Sequence, residues 1–243
     1  MTDSSLAFSQ DTGKVKTKFL ALIFLYLALG VFVTLGVGLL YSYILWSSFE
    51  AGSNEMAIAY MATFAISGIG IFVMMIINSV YISKTNKAPW VGFLIFAVLY
   101  GLLFSGVLLT GLITFYTLME ALGITTGLFL IMFLLGYFSK INWNPIAFIA
   151  LTMLIGVLLV SMFFGIWYLI SPSTFMLLDF IISIIFIIAV TLIVGVDANR
   201  AAKIAATGMA NNNLALFMAY NFYVDFIGIF LRVLLLLASS RNN

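Results

Sequence analysis

The sequence has no cysteine and no histidine, and only 7% of its 243 residues are charged. Without cysteine there can be no disulfide, thiolate nucleophile or cysteine metal site. Without histidine the chain lacks the usual group that titrates near neutral pH and the commonest metal ligand. These absences disfavour an enzyme, and the net charge of +2 is too small to suggest nucleic acid as a partner.

Charge is scarce because the chain is dominated by apolar residues. A soluble domain carries about 25% charged residues, whereas 65% of this chain is hydrophobic. The composition therefore predicts a polytopic membrane protein whose first partner is the lipid bilayer. Any proton chemistry must rely on carboxylates, and the eight in the sequence are Asp3, Asp11, Glu50, Glu55, Glu120, Asp179, Asp197 and Asp225.

Seven apolar segments are long enough to cross a bilayer, which takes about 20 residues. We therefore expect an all-α fold with an N-terminal tail over residues 1–18, one seven-helix domain over 19–238 and a short tail over 239–243. The predicted spans are Phe19–Trp46, Met56–Ile82, Val91–Leu112, Leu118–Phe138, Ile146–Ile170, Phe175–Val196 and Leu214–Ala238.

Basic residues predict the orientation. Eight of the ten lie in the N-terminal tail and in the second, fourth and sixth connections, whereas the first, third and fifth connections carry none. The positive-inside rule then places the N-terminus in the cytoplasm. We expect the protein to lie in the plasma or inner membrane of the cell. Seven crossings place the C-terminus outside. Arg241 argues against this, because a re-entrant last segment would return it to the cytoplasm.

The last predicted span has a single polar stripe. Asn221, Asp225, Gly228 and Arg232 are spaced 4, 3 and 4 residues apart, which places them on one helix face. Asp225 lies about 16 Å into the span, where an aspartate costs about 2.5–3.5 kcal/mol on insertion scales. Either Arg232 reaches back to neutralise it, or Asp225 pairs with another ionisable group. Glu120 adds an accessory polar position in the fourth span.

Asp197, at the end of the sixth predicted span, is the candidate partner. The simpler interpretation is a solvated interfacial aspartate beside Arg200 and Lys203. If the sixth helix continues toward Ala206, however, Asp197 lies inside it and can face the seventh. Two carboxyl groups within hydrogen-bond reach in low dielectric cannot easily both ionise, so they can share a proton. When deprotonated, Asp197 and Asp225 would repel each other and offer oxygen ligands to a hard cation such as Ca²⁺.

Three stretches resemble motifs of the Bax inhibitor-1 family. They are FYVDFIGIFLRVLLLL in the last span, GVDANRAAKI after the sixth and LMEALGITTGLFLIMFLLGYFSKINWNPI around the fourth, within a resemblance that covers Lys14 to Leu237. The resemblance implies a seven-helix bundle with a central last helix, without a cofactor. It also implies an aspartate pair, at Asp197 and Asp225 here, that senses protons and gates a calcium leak.

The same resemblance leaves a second function open, a non-conducting modulator that binds a membrane protease or another membrane protein. This chain departs from the family pattern in its second span, and the departure bears on gating. Many members carry a charged residue in the second span that can latch onto the aspartates, whereas Met56–Ile82 contains no charge. Gating in this chain is therefore expected to differ from that of the family.

Overall fold

The computed structural model describes residues 3–49, 53–85, 89–109, 113–163, 172–207 and 210–241. Over these residues the chain forms helices and no strands, and seven helices are long and apolar enough to cross a membrane. The prediction of an all-α, seven-span protein is confirmed. The helices are α1 (Asp3–Ser48), α2 (Asn54–Thr85), α3 (Trp90–Leu109), α4 (Phe115–Phe138), α5 (Asn144–Met162), α6 (Pro172–Ala206) and α7 (Asn212–Arg241).

Helix ends differ most from the predictions at α1, α5 and α6. Helix α1 begins at Asp3, within the predicted N-terminal tail, rather than at Phe19. The predicted sixth span stopped at Val196 with the apolar run, but α6 continues to Ala206. The added segment is rich in alanine and has no glycine or proline, so helix propensity carries it past the apolar core. Helix α5 ends at Met162 rather than at the predicted Ile170. Residues 164–171, and the predicted end of the third span at 110–112, lie outside the described residues.

The chain packs as two compact units. The first contains Met1–Thr114 and Gly208–Tyr223, and in it α3 packs against α1 and α2. Close approach requires a glycine at position 101, because a β-carbon there would lie 2.8 Å from the Thr34 carbonyl oxygen. The Tyr223 hydroxyl forms a buried 2.6 Å hydrogen bond with Thr34 Oγ1, and the Tyr223 ring packs edge-on against Phe93.

The second unit contains Phe115–Thr207 and Val224–Asn243. Here α6 packs against α4 and α5. Helices α4 and α6 run parallel and touch through their backbones at Gly136 and Gly195. Asn199 Nδ2 donates to the Gly136 carbonyl oxygen at 3.2 Å and reaches the Ser139 carbonyl oxygen at 3.4 Å. These contacts fix the end of α6 against the end of α4.

Helix α7 supplies buried residues to both units. Phe222 and Tyr223 belong to the first core, and Phe230 and Leu234 to the second. Half of its apolar window is buried, the largest share among the seven spans. The expectation of an enclosed last helix is met in this sense, while the proposed division into two tails and one domain stays a prediction.

Candidate functional site on the last two helices

Asp225 has a buried carboxylate oxygen without a partner. The residue is half-buried as a whole, yet its Oδ2 atom is enclosed and accepts no hydrogen bond from any residue that the structure describes. Its neighbour Phe226 packs edge-on against Phe129 of α4, with the ring centroids 5.7 Å apart. Buried polar groups are nearly always paired, because an unpaired one loses its hydration without compensation.

Arg232 does not neutralise Asp225. Its Nη1 lies 3.4 Å from Asp179 Oδ1 and 3.3 Å from Ser183 Oγ, both on α6. The guanidinium also lies over the Phe186 ring, 5.4 Å from its centroid. The hypothesis that Arg232 reaches back about two turns to neutralise Asp225 is therefore wrong.

Sequence reasoning missed Asp179, although a signal was present. It lies near the start of one apolar span and Arg232 lies near the end of the next. When two neighbouring helices are antiparallel, the start of one lies beside the end of the other, so Asp179 and Arg232 come to the same depth in the membrane.

Asp197 is buried and ion-paired. Because α6 continues to Ala206, Asp197 lies inside the helix, and it is only 5% exposed. The interpretation of a merely solvated aspartate is therefore wrong. Its Oδ1 accepts a hydrogen bond from Arg200 Nη1 at 3.2 Å, one turn along the helix, and the Arg200 side chain is 65% exposed.

The two candidate carboxyl groups lie at different levels of the second unit. Gly228 is next to the Phe186 ring, so the antiparallel register of α6 and α7 places Asp225 level with about Ala189. Asp197 is eight residues further along α6, which is about 12 Å along the axis. The charge of Asp197 still acts on Asp225.

Among the described residues no hydrogen bond joins Asp197 and Asp225. The proton-sharing pair of Asp197 and Asp225 therefore stays a prediction. The register separates the carboxyl groups by two helical turns, and the Asp197 carboxylate is bound to Arg200 instead. What the fold provides is two carboxylates at successive depths, coupled through their charges.

Asn221 and Gly228 lie one turn to either side of Asp225 on α7, and the role of the accessory positions stays a prediction. Asn221 lies in the part of α7 that belongs to the first unit. A β-carbon at Gly228 would make only ordinary contact with Phe186, at 3.5 Å, so this position does not require glycine for packing. Glu120 lies sixteen residues before Gly136, the residue of α4 that touches α6 near Asp197. That is about 24 Å along the helix.

The described residues contain no group of three or more carboxylates, histidines or cysteines that could hold a metal ion. Ca²⁺ takes six to eight oxygen ligands, and the binding of Ca²⁺ by Asp197 and Asp225 stays a prediction.

Comparison with known proteins gives the family. The sequence model described as "Inhibitor of apoptosis-promoting Bax1" matches residues 16–242. The chain belongs to the Bax inhibitor-1 family. No curated protein matches the chain. The predicted family assignment is thereby confirmed, and the matched residues include both Asp197 and Asp225.

Membership in the Bax inhibitor-1 family supports a channel-like or modulator role in a membrane. The second predicted span, Met56–Ile82, carries no charged residue. The buried Asp197 instead receives its counter-charge from Arg200 on the same helix.

Proposed function

We propose that this Bax inhibitor-1 family member is a pH-sensitive cation leak that passes Ca²⁺ and is gated by Asp197 and Asp225. The unpartnered Oδ2 of Asp225 carries the proposal. An arginine lies on the same helix, but it pairs with Asp179. Asp225 is therefore left able to take up a proton or a cation, which is the expected role of an ionisable group inside a membrane.

The spacing of the two carboxylates suits stepwise passage of a cation. When Asp225 is protonated it is neutral and gives a cation nothing to bind. When it loses the proton, its charge and that of Asp197 together attract a hard cation, for which carboxylate oxygen is the preferred ligand. Conduction favours several sites of modest affinity over one tight site, so flux is expected to rise with pH.

Arg200 acts as the closing counter-charge in this mechanism. Its guanidinium occupies the Asp197 oxygen that a cation would use. Because the Arg200 side chain is 65% exposed, it can move into water when a cation takes its place beside the buried Asp197 carboxylate, which would otherwise be left unpaired. Arg200 would thus do in this chain what a charged latch in the second span does elsewhere in the family.

The direct test is Ca²⁺ entry into liposomes that contain only the purified protein and a trapped indicator dye. Wild type is expected to admit Ca²⁺. Asp225→Asn is expected to reduce entry by about tenfold or more. A tenfold loss corresponds to about 1.4 kcal/mol of cation binding at the lost charge. Glu55→Gln is the matched control, because it removes an exposed carboxylate at the start of α2. Entry that is undiminished in Asp225→Asn would overturn the proposal.

The second candidate is a non-conducting modulator that binds a membrane protease or another membrane protein. The Asp197–Arg200 pair favours it, because a carboxylate that is already neutralised needs neither a proton nor a cation. This function predicts no Ca²⁺ entry with the purified protein and co-purification with a membrane partner. Robust entry with the protein alone would rule it out.

A further inference from the structure

We propose that a cavity between α2 and α3 binds one anionic phospholipid of the surrounding bilayer, with the ester region of the lipid against Asn78. The cavity lies wholly within the first unit, whereas Asp197 and Asp225 belong to the second. The inference therefore does not depend on the proposed leak.

The cavity is a concave, mostly apolar site of about 540 Å³, within the range of about 300–1,000 Å³ that ligand pockets occupy. The end of α2 and the first two turns of α3 line it, and its wall includes Ile77, Val91 and Ile95. All three side chains are at least 44% exposed. Such walls suit an acyl chain, because they offer apolar contact on more than one side.

Asn78 places an unpaired hydrogen-bond donor in this apolar wall. The residue is 1% exposed and its Nδ2 has no hydrogen-bond partner among the described residues. Its amide oxygen faces Gly92, where a β-carbon would collide with it. The Tyr220 hydroxyl is close enough to interact with Asn78, but it does not complete a hydrogen bond and is itself unpaired.

An N–H group left unsatisfied at membrane depth is costly, since lipid tails offer no acceptor. The ester carbonyl of a phospholipid is an acceptor that the bilayer itself supplies. Asn78 is also at the right height. It lies three residues before Tyr81, about 4.5 Å along the helix.

Tyrosine and tryptophan concentrate at the membrane–water boundary. Tyr81 ends the membrane span of α2, and Trp90 begins that of α3. The Trp90 ring is held edge-on by Tyr26, with centroids 5.3 Å apart. This boundary puts Asn78 just below the headgroups, in the layer of the ester groups.

Charge selects the headgroup. Residues 82–88, which include the last residues of α2 and those that follow it, contain Lys84 and Lys87 and no acidic residue in the sequence. Basic residues next to a span attract anionic lipids. An anionic phospholipid therefore satisfies the apolar cavity, the unpaired amide and the basic connection together.

The test is native mass spectrometry of the purified protein with equal amounts of phosphatidylglycerol and phosphatidylcholine. Wild type is expected to retain one phosphatidylglycerol per chain in preference to phosphatidylcholine. Asn78→Leu should weaken retention by about fivefold, the effect of one hydrogen bond. Because leucine replaces an unpaired amide with an apolar group of similar size, the fold should survive this change.

A second pair of variants separates filling of the cavity from general effects on the lipid-facing surface. Ile76 and Ile77 are both 50% exposed, but only Ile77 lines the cavity. Ile77→Trp should abolish selective retention, whereas Ile76→Trp should leave it unchanged. Equal retention of the two lipids by wild type would mean non-selective boundary lipid only. That result, or unchanged retention in both Asn78→Leu and Ile77→Trp, would overturn the proposal.

Discussion

At the scale of single residues, some buried polar groups form hydrogen-bonded pairs and others lack a partner among the described residues. Thr34 with Tyr223, and Asn199 with the Gly136 carbonyl, satisfy each other inside the helical packing. Asp225 Oδ2 and Asn78 Nδ2 have no such partner among the described residues. Completed pairs stabilise the fold, whereas the incomplete groups are available for a proton, a cation or a lipid.

The first prediction concerns a completed pair. Tyr223→Phe removes the hydroxyl that bonds Thr34 Oγ1 at 2.6 Å in a buried site. Loss of this hydrogen bond should lower the unfolding free energy by about 0.5–1.5 kcal/mol, measured by thermal unfolding in detergent. Tyr43→Phe is the control, because Tyr43 is 72% exposed. Equal stability of the two variants would show that the pair adds nothing.

At the scale of helices, glycine determines how closely α4 and α6 pack. A β-carbon at Gly136 would run into the backbone carbonyl of Gly195, which cannot move aside as a flexible side chain can. Nine residues earlier in the same helix, a β-carbon at Gly127 would have no neighbour within 4 Å. Two glycines of one helix therefore have different roles.

The second prediction follows from this difference. Gly136→Ala should force α4 and α6 apart and cost about 1–3 kcal/mol, as overpacking does. Gly127→Ala should be neutral or stabilising by up to about 1 kcal/mol, because alanine is the better helix former. Thermal unfolding of both variants measures the contrast. Equal destabilisation would show that the Gly136–Gly195 contact does not govern the packing.

Much of the helix layout could be predicted from the sequence, because apolar length alone locates a membrane span. The continuation of α6 beyond Val196 could not, since the added turns are formed by helix propensity and by the Asn199 bond to α4. The depth of Asp225 was also predictable. The partner of Arg232 was not, because the pair with Asp179 depends on the register between α6 and α7.

At the scale of the whole molecule, the absence of cysteine makes the orientation testable. Single cysteines can be placed at exposed positions and probed on intact cells with a membrane-impermeant maleimide. If the basic connections face the cytoplasm, Glu55→Cys and Ser240→Cys should be labelled, whereas Lys140→Cys should be labelled only after permeabilisation. All three residues are exposed in the structure.

Two outcomes of the labelling experiment would contradict the account. Labelling of Lys140→Cys alone would show that the orientation in the membrane is the opposite of the predicted one. Protection of Ser240→Cys together with labelling of Glu55→Cys would mean that α7 does not cross fully, as the position of Arg241 in the sequence also allows.

The central claim is that Asp225 controls cation passage by gaining and losing a proton. The measurement that tests it most directly is the pH profile of Ca²⁺ entry into liposomes that hold only this protein, for wild type and Asp225→Asn. The account predicts entry that rises with pH in wild type and a low, pH-independent trace in Asp225→Asn. A wild type that admits no Ca²⁺ at any pH, or an Asp225→Asn variant with the wild-type profile, would contradict it.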